Sequence, residues 1–161
     1  MAATRPVTAD DLDLVCRHRE EMFRASNAPG RTEDVLQAMS AAFRVWLKPR
    51  LEDGSYFGFI VEVEGSPVAG IGLMLIDWPP HPSHPREDRR GYVLNIFVEP
   101  LYRRRGLANM LMELGEAEFC KRGVSYGVLH ATKMGRPLYE QLGWSATSEM
   151  AKSLSREMRS D

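Results

Sequence analysis

The chain has 161 residues, 43% of them hydrophobic and 27% charged, with a formal net charge of -1. That length suits one domain, 1–161, able to bury a core without a disulfide or metal staple. No apolar run approaches the roughly 18 residues of a membrane span. The start Met1-Ala2-Ala3-Thr4-Arg5-Pro6 has no signal-peptide core, and two isolated cysteines, Cys16 and Cys120, suit a reducing cytoplasm. The charge balance argues against a general nucleic-acid binder, yet 17 of the 21 basic residues are Arg, a side chain suited to planar contacts with carboxylate or phosphate.

In chain order, Thr8 and Asp11 stand in capping-box positions, and Leu12, Val15, Cys16, Met22 and Phe23 recur at helical spacing, which predicts a helix near 9–25. Ser26-Asn27-Ala28-Pro29-Gly30 breaks it. Thr32 opens a second helix with Val35, Met39, Phe43, Trp46 and Leu47 as its stripe, and Pro49 and Gly54 mark its end. The period then changes. Tyr56 to Val63 reads as a strand, Gly65-Ser66-Pro67 as a turn, and Val68 to Ile76 as the hairpin partner. Residues 77–90 hold four prolines, two histidines and six charged residues and form no regular element. A strand over Gly91 to Val98, a helix from Gly106 to about Arg122, a strand over Val124 to Leu129, a short helix from Arg136 to Leu142 and a last strand from Trp144 to Leu154 follow, before a polar tail from about 155. This order is solved most simply by a mixed sheet with helices on its faces.

The informative stretch runs from Leu94 to Ala108. It is a buried strand, a turn holding Arg103, Arg104 and Arg105, and a helix whose first turn contains Gly106, Leu107 and Ala108. The first N–H groups of a helix lack intrahelical partners and carry partial positive charge, so they favour anions. Gly106 removes a side chain where a phosphate must approach the backbone, and the arginines add charge at the rim. Neither Gly-x-Gly-x-x-Gly nor Gly-x-x-x-x-Gly-Lys-Ser/Thr is present.

Arg103-Arg104-Arg105-Gly106-Leu107-Ala108 resembles the Arg/Gln-x-x-Gly-x-Gly/Ala signature of the GNAT N-acetyltransferases. The preceding strand end Val98-Glu99-Pro100 and the later Gly135-Arg136-Pro137-Leu138-Tyr139-Glu140-Gln141-Leu142-Gly143-Trp144 match the same family in type, spacing and order, so the resemblance covers essentially the whole chain. It implies an α/β (α+β) GNAT-type domain, with a mixed, mostly antiparallel central sheet and helices on both faces. It implies acetyl-CoA as cosubstrate, no metal, and direct attack of a primary amine of a small molecule or peptide on the acetyl carbonyl. Backbone N–H groups from about Arg104 to Ala108 take the pyrophosphate in this reading, with Arg103 and Leu107 beside them. Ile96, Phe97 and Val98 lie along the pantetheine, and N–H groups near the thioester polarise its carbonyl. Tyr139 takes the place of the family's tyrosine, which protonates the departing CoA thiolate. Thr132 stands where an asparagine is often found, and keeps one hydroxyl for the cosubstrate.

Where some relatives carry a glutamate base this chain has Tyr92, so no base follows from the motif. The candidates are His81, Glu99, His84, Asp77 and Tyr92, while His130 reads as a buried strand-end histidine. The resemblance places the acceptor pocket among the first two helices and the loop before the central strand, which points to Arg17, Phe23, Arg24, Trp46, Trp78 and His81. Arg24 is suited to facing an acceptor carboxylate. Related proteins are often dimers, so a homodimer is an open expectation, with no nucleic-acid or membrane partner. The alternative from a different class is a CoA-binding regulatory module that kept the fold and lost turnover.

Overall fold

The computed structural model describes residues 1–26 and 28–154. Asn27, in the expected helix break, and the expected polar tail from about 155 lie outside the described residues. The chain divides into two compact units, Met1–His130 and Ala131–Asp161.

The first unit contains β1 (Ala2–Pro6), α1 (Leu12–Ser26), α2 (Glu33–Asp53), β2 (Tyr56–Val63), β3 (Ser66–Asp77), β4 (Arg89–Val98), α3 (Leu107–Lys121) and β5 (Gly127–Leu129). Its five strands lie in the order β1-β2-β3-β4-β5. The first three pairings are antiparallel, and β4 and β5 pair in parallel. The sheet is therefore mixed and mostly antiparallel, as expected. Adjacent side chains of a strand point to opposite faces, and Tyr56 and Phe57 show what each face meets. Tyr56 joins Val15 and Cys16 of α1 and Phe43, Leu47 and Leu51 of α2 in one buried cluster. Phe57 meets Phe119 of α3 edge-on, with ring centroids 6.2 Å apart. Helices thus cover both faces. Gly115 lets α3 approach closely, because a Cβ there would lie 3.2 Å from Ile71 Cδ1. Leu47, Leu73 and Leu111 have no exposed surface, and truncating any of them to alanine removes about 2–5 kcal/mol of stability.

Several local expectations shift. The second helix runs through Pro49 to Asp53, where Gly54 takes the left-handed C-cap conformation (φ 78°). Proline deprives only the Val45 carbonyl of its donor. Val45 is exposed, so water can serve it, while buried Leu47 and Leu51 hold the helix on either side. The hairpin turn is Glu64-Gly65, with φ of 51° and 78°, rather than Gly65-Ser66-Pro67. Both values suit a two-residue turn matched to strand twist. β5 begins three residues late because the Val124 N–H bonds the Phe119 carbonyl (3.0 Å) and closes the end of α3. β1 was not expected from the sequence. It is a largely exposed edge strand held by Arg5, which reaches Glu62 at 2.7 Å and Asp11 through two bonds of 2.8 Å.

The second unit contains α4 (Arg136–Gln141). The expected strand over Trp144–Leu154 does not form; residues 145–154 are exposed throughout. Such a segment has no buried face to fix a pairing register.

Candidate active site

The centre of the first unit is a defect in β4. Asn95 stands opposite Gly72, but Val93 stands opposite Leu73, so Leu94 is an extra residue without a partner on β3. On the other side, β5 pairs with β4 only at Gly91, Tyr92 and Val93. Beyond the bulge, the Ile96-Phe97-Val98 segment is bonded to β3 and, among the described residues, has no strand on its outer edge. Exposed sheet edges offer unpaired N–H and C=O groups to an extended ligand.

This edge leads through Glu99 and a short 3-10 turn, Pro100–Tyr102, to the start of α3. Arg104 and Gly106 both have left-handed backbones, with φ of 61° and 78°. The Met110 N–H bonds the Gly106 carbonyl at 3.0 Å. The N–H groups of Leu107, Ala108 and Asn109 therefore precede the helical ladder and lack intrahelical acceptors. A Cβ at Gly106 would meet nothing within 4 Å, so the backbone is open to an approaching group. Arg103, Arg104 and Arg105 are exposed around it. Arg103 Nε bonds the Val98 carbonyl at 3.0 Å, and Arg105 lies 5.2 Å over the Tyr102 ring. An open strand edge running into a glycine-opened helix start fits a long cosubstrate with a pyrophosphate at one end.

In the second unit, Thr132 Oγ1 accepts from the Gly135 N–H at 3.1 Å and its carbonyl accepts from the Arg136 N–H at 2.9 Å. The residue expected to touch the cosubstrate thus ties the turn that leads into α4. A Cβ on Gly135 would lie 2.9 Å from Tyr139 Cε2, so glycine here makes room for the tyrosine ring. Burial pushes the Tyr139 phenol up, which keeps it a proton donor at neutral pH.

The base candidates differ in what they already bond. Arg90 Nε donates to His84 Nε2 at 2.9 Å, and His84 Nδ1 lies 3.1 Å from the Glu87 carbonyl. An accepting Nε2 and a donating Nδ1–H define one neutral tautomer with both nitrogens engaged. His84 is 1% exposed and secures the loop. His81, an exposed residue, stacks on it at 5.7 Å, and its Nδ1 accepts from the Ser83 N–H at 3.0 Å, which places the neutral ring's proton on Nε2. Glu99 holds Arg17 at 2.7 Å. Asp77 ends β3, paired in register with Arg89. Tyr92 is half-buried, its ring 5.7 Å from that of His130, which is exposed rather than buried as expected.

The expected acceptor residues are also distributed. Trp78 lies against the Arg90 guanidinium (4.2 Å), which Tyr126 covers from 4.8 Å. Trp46 stacks on Phe43 at 5.6 Å. Arg24 is committed to three carboxylates, Glu20 (2.8 Å), Glu21 (2.5 Å) and Glu33 (2.9 Å).

Four residues missed at the sequence level gather beneath α1. Asn95, at the bulge, donates to the Tyr56 hydroxyl at 2.7 Å and accepts from Arg19 Nη1 at 2.6 Å. With His18 and two glycines of β3, Asn95 and Tyr56 line a cavity of about 10 Å³, room for about one water. Among the described residues His18 Nε2 is buried without a partner, and burial brings its imidazole down to about 4. The available signal was position: His18 and Arg19 interrupt the apolar stripe of α1 between Cys16 and Met22.

Helices on both faces of a bulged, mostly antiparallel sheet, with an open backbone at the start of α3, define an acyl-CoA-dependent transferase fold. The model of the Acetyltransferase (GNAT) family matches residues 17–144, and the chain belongs to that family; it is an acetyltransferase that uses acetyl-CoA. A GCN5-related N-acetyltransferase from Ralstonia eutropha is 56% identical over 96% of this chain and 99% of its own, with a TM-score of 0.92. A predicted acetyltransferase from Clostridium acetobutylicum, solved with acetyl-CoA, is 22% identical over 96% of each chain, with a TM-score of 0.84. An aminoglycoside N-acetyltransferase in complex with CoA is 16% identical over 97% of this chain and 95% of its own, with a TM-score of 0.68. No curated protein sequence matches. Among the described residues, no group of three or more His, Cys, Asp or Glu is arranged to hold a metal ion, and no helix is long and apolar enough to cross a membrane.

Proposed function

We propose that the chain, acting as one domain, acetylates a primary amine of a small molecule or peptide in the cytoplasm, with the amine attacking directly. The family match spans both compact units, and among the described residues Cys16 and Cys120 are free thiols, which suits a reducing compartment. The single observation that carries the assignment of the site is the unpaired outer edge of β4 beyond Leu94, which runs into the open start of α3.

In this reading Ile96, Phe97 and Val98 give main-chain hydrogen bonds to the pantetheine, as an added strand would receive them. The N–H groups from Arg104 to Ala108 hold the pyrophosphate, and Arg103, Arg104 and Arg105 supply charge around it. Acetyl-CoA supplies the activated thioester when bound. Backbone donors of β4 at the bulge orient and polarise the thioester carbonyl. Tyr139, protonated because it is buried, hands its proton to the leaving sulfur. Thr132 holds Tyr139's helix and offers its hydroxyl to the cosubstrate. For the proton of the amine, His81 can act only by releasing the Ser83 N–H, because an accepting Nδ1 puts the neutral ring's own proton on Nε2, while both nitrogens of His84 are engaged and Glu99 holds Arg17. Glu99, Asp77 and Tyr92 remain within the same proposal as water-linked alternatives.

The test is calorimetric binding of acetyl-CoA, followed by thiol release and product mass across an amine panel. Binding with turnover of at least one amine is the expected result. Tyr139→Phe should lower kcat by about 10-fold or more with little change in acetyl-CoA affinity. An unchanged kcat would make the tyrosine purely structural.

A further inference from the structure

Arg19 sits in an environment that no other arginine of α1 shares. Its guanidinium lies 4.9 Å from the Phe23 ring centroid and 4.7 Å from that of Phe43. Nη1 is bonded to Asn95 Oδ1 at 2.6 Å. Nε is buried and unpartnered. Arg19 forms no ion pair among the described residues, whereas Arg17 holds Glu99 and Arg24 holds three glutamates. A half-buried cation without a counterion among the described residues carries a desolvation cost, and chains normally avoid it unless the charge is used.

The surroundings repeat the pattern. Arg31 covers the Phe23 ring at 4.7 Å and Arg50 covers the Trp46 ring at 4.3 Å. Phe43 and Trp46 stack, so three guanidiniums and three aromatic rings form one interleaved column between α1 and α2. Neither Arg31 nor Arg50 forms an ion pair with a carboxylate among the described residues. The column therefore presents positive charge that no ion pair among the described residues neutralises, and its inner member is tied to the bulge of β4.

We propose that Arg19 binds a carboxylate carried by the acceptor amine and thereby sets the enzyme's substrate class to zwitterionic or anionic amines such as amino acids and peptide termini. This rests on the function proposed above, in which the acetyl group is delivered at the β4 bulge. An amine reaching that point passes the side chain hydrogen-bonded to Asn95. The aromatic contacts fix the guanidinium, Nη1 is held by Asn95 and Nε is buried, so Nη2 is the donor left for a ligand. A carboxylate oxygen can accept from it, and among the described residues no carboxylate forms an ion pair with this guanidinium. A polycationic amine meets an uncompensated cation instead and is rejected.

The test uses the intact protein and matched amines that differ only in the carboxylate: an amino acid against its carboxamide, and a dipeptide against its C-terminal amide. Thiol release from acetyl-CoA should give the acid a kcat/KM advantage of about 10–100-fold. Arg19→Gln should erase that advantage while the KM for acetyl-CoA stays within about twofold, and Arg19→Lys should restore part of it. Equal use of acid and amide by the wild type overturns the proposal whatever the variants do. Loss of acetyl-CoA affinity in step with acceptor affinity in Arg19→Gln overturns it too, by making the residue a general support. A preference for a phosphomonoester amine over its carboxylate counterpart overturns the carboxylate assignment. If no amine turns over, tryptophan fluorescence in the presence of CoA reads binding of the same pairs. Preferential binding of the acid supports the site; equal binding, or none, overturns it. Failure of acetyl-CoA itself to bind counts against the function proposed above, and the acid–amide pairs then still decide Arg19 by their own binding.

Discussion

The molecule uses arginine in two opposite ways. At the start of α3, Arg103, Arg104 and Arg105 are exposed beside an open backbone. Between α1 and α2, Arg19 is clamped between aromatic rings and tied to a buried asparagine. The first group is charge exposed to water, able to neutralise phosphates of many shapes. The second is a fixed donor in apolar surroundings, where a mismatch is expensive. In the proposed site the exposed arginines gather a ligand with several negative charges, whereas the half-buried Arg19 discriminates between ligands.

The largest effect should come from the buried region. A Cβ at Gly72 would lie 1.7 Å from the Tyr56 hydroxyl, inside the group that links Asn95 to β2. Gly72→Ala should cost about 3 kcal/mol or more, because Tyr56 must leave its position against Asn95. Urea unfolding measures this, and a loss below about 0.5 kcal/mol, the range of neutral surface changes, would mean that the packing under α1 is looser than described.

Next comes the pH dependence of the same region. Burial lowers the His18 imidazole from 6.5 to about 4 in the folded state. The unfolded chain then binds the extra proton first as pH falls, so stability is full above about 6.5 and declines between 6.5 and 4. Between pH 7 and 5 the loss is about 2 kcal/mol. Asp11 does not share that window. Burial alone would raise its carboxyl, but the Arg5 and Thr8 hydrogen bonds outweigh this and hold it below the usual carboxylate range. Thermal melts should show the decline, and His18→Leu should flatten it. A wild-type melt that is level from pH 7 to 5 would sink the idea.

At the exposed region the disturbance is functional. Gly106→Val forces a β-branched residue into a left-handed backbone, at a cost of about 1–3 kcal/mol, and covers N–H groups that face open space. The KM for acetyl-CoA should rise about 10-fold or more, with a smaller change in kcat. Unchanged donor affinity would move the pyrophosphate site elsewhere.

These regions were unequally legible. The exposed turn was readable because its chemistry is local: a run of arginines, a glycine and a following helical stripe stand within six residues, Arg103 to Ala108. The order of the strands from Tyr56 to Leu129 was legible for the same reason, since alternation and turn residues are short-range signals. The buried column was not. Arg19, Phe43, Tyr56 and Asn95 come from four elements, and only the fold brings them together. Arg24 looked the better carboxylate binder from its residue type, but its neighbours Glu20, Glu21 and Glu33 consume it. β1 was missed because an exposed edge strand needs no apolar alternation. The strand expected after Trp144 failed because a few apolar residues without a buried face do not form one.

The smallest effect separates the two kinds of arginine most cleanly. Among the described residues Arg105 is placed over the Tyr102 ring and forms no ion pair, so in the proposed site its contribution is charge acting through water. Arg105→Gln should raise the KM for acetyl-CoA by about threefold at low salt, the order expected of a single exposed charge. The Debye length shrinks from about 10 Å at 0.1 M salt to about 3 Å at 1 M, so wild type and variant should converge as salt is added. The acid-over-amide preference assigned to Arg19 should persist through the same titration, because a buried contact is screened far less. Acetyl-CoA kinetics at two salt concentrations, with the acid and amide acceptors side by side, measure both responses. If the Arg105 difference survived high salt, that residue would be making a direct contact, and the division between gathering and discriminating arginines would have to be redrawn at α3.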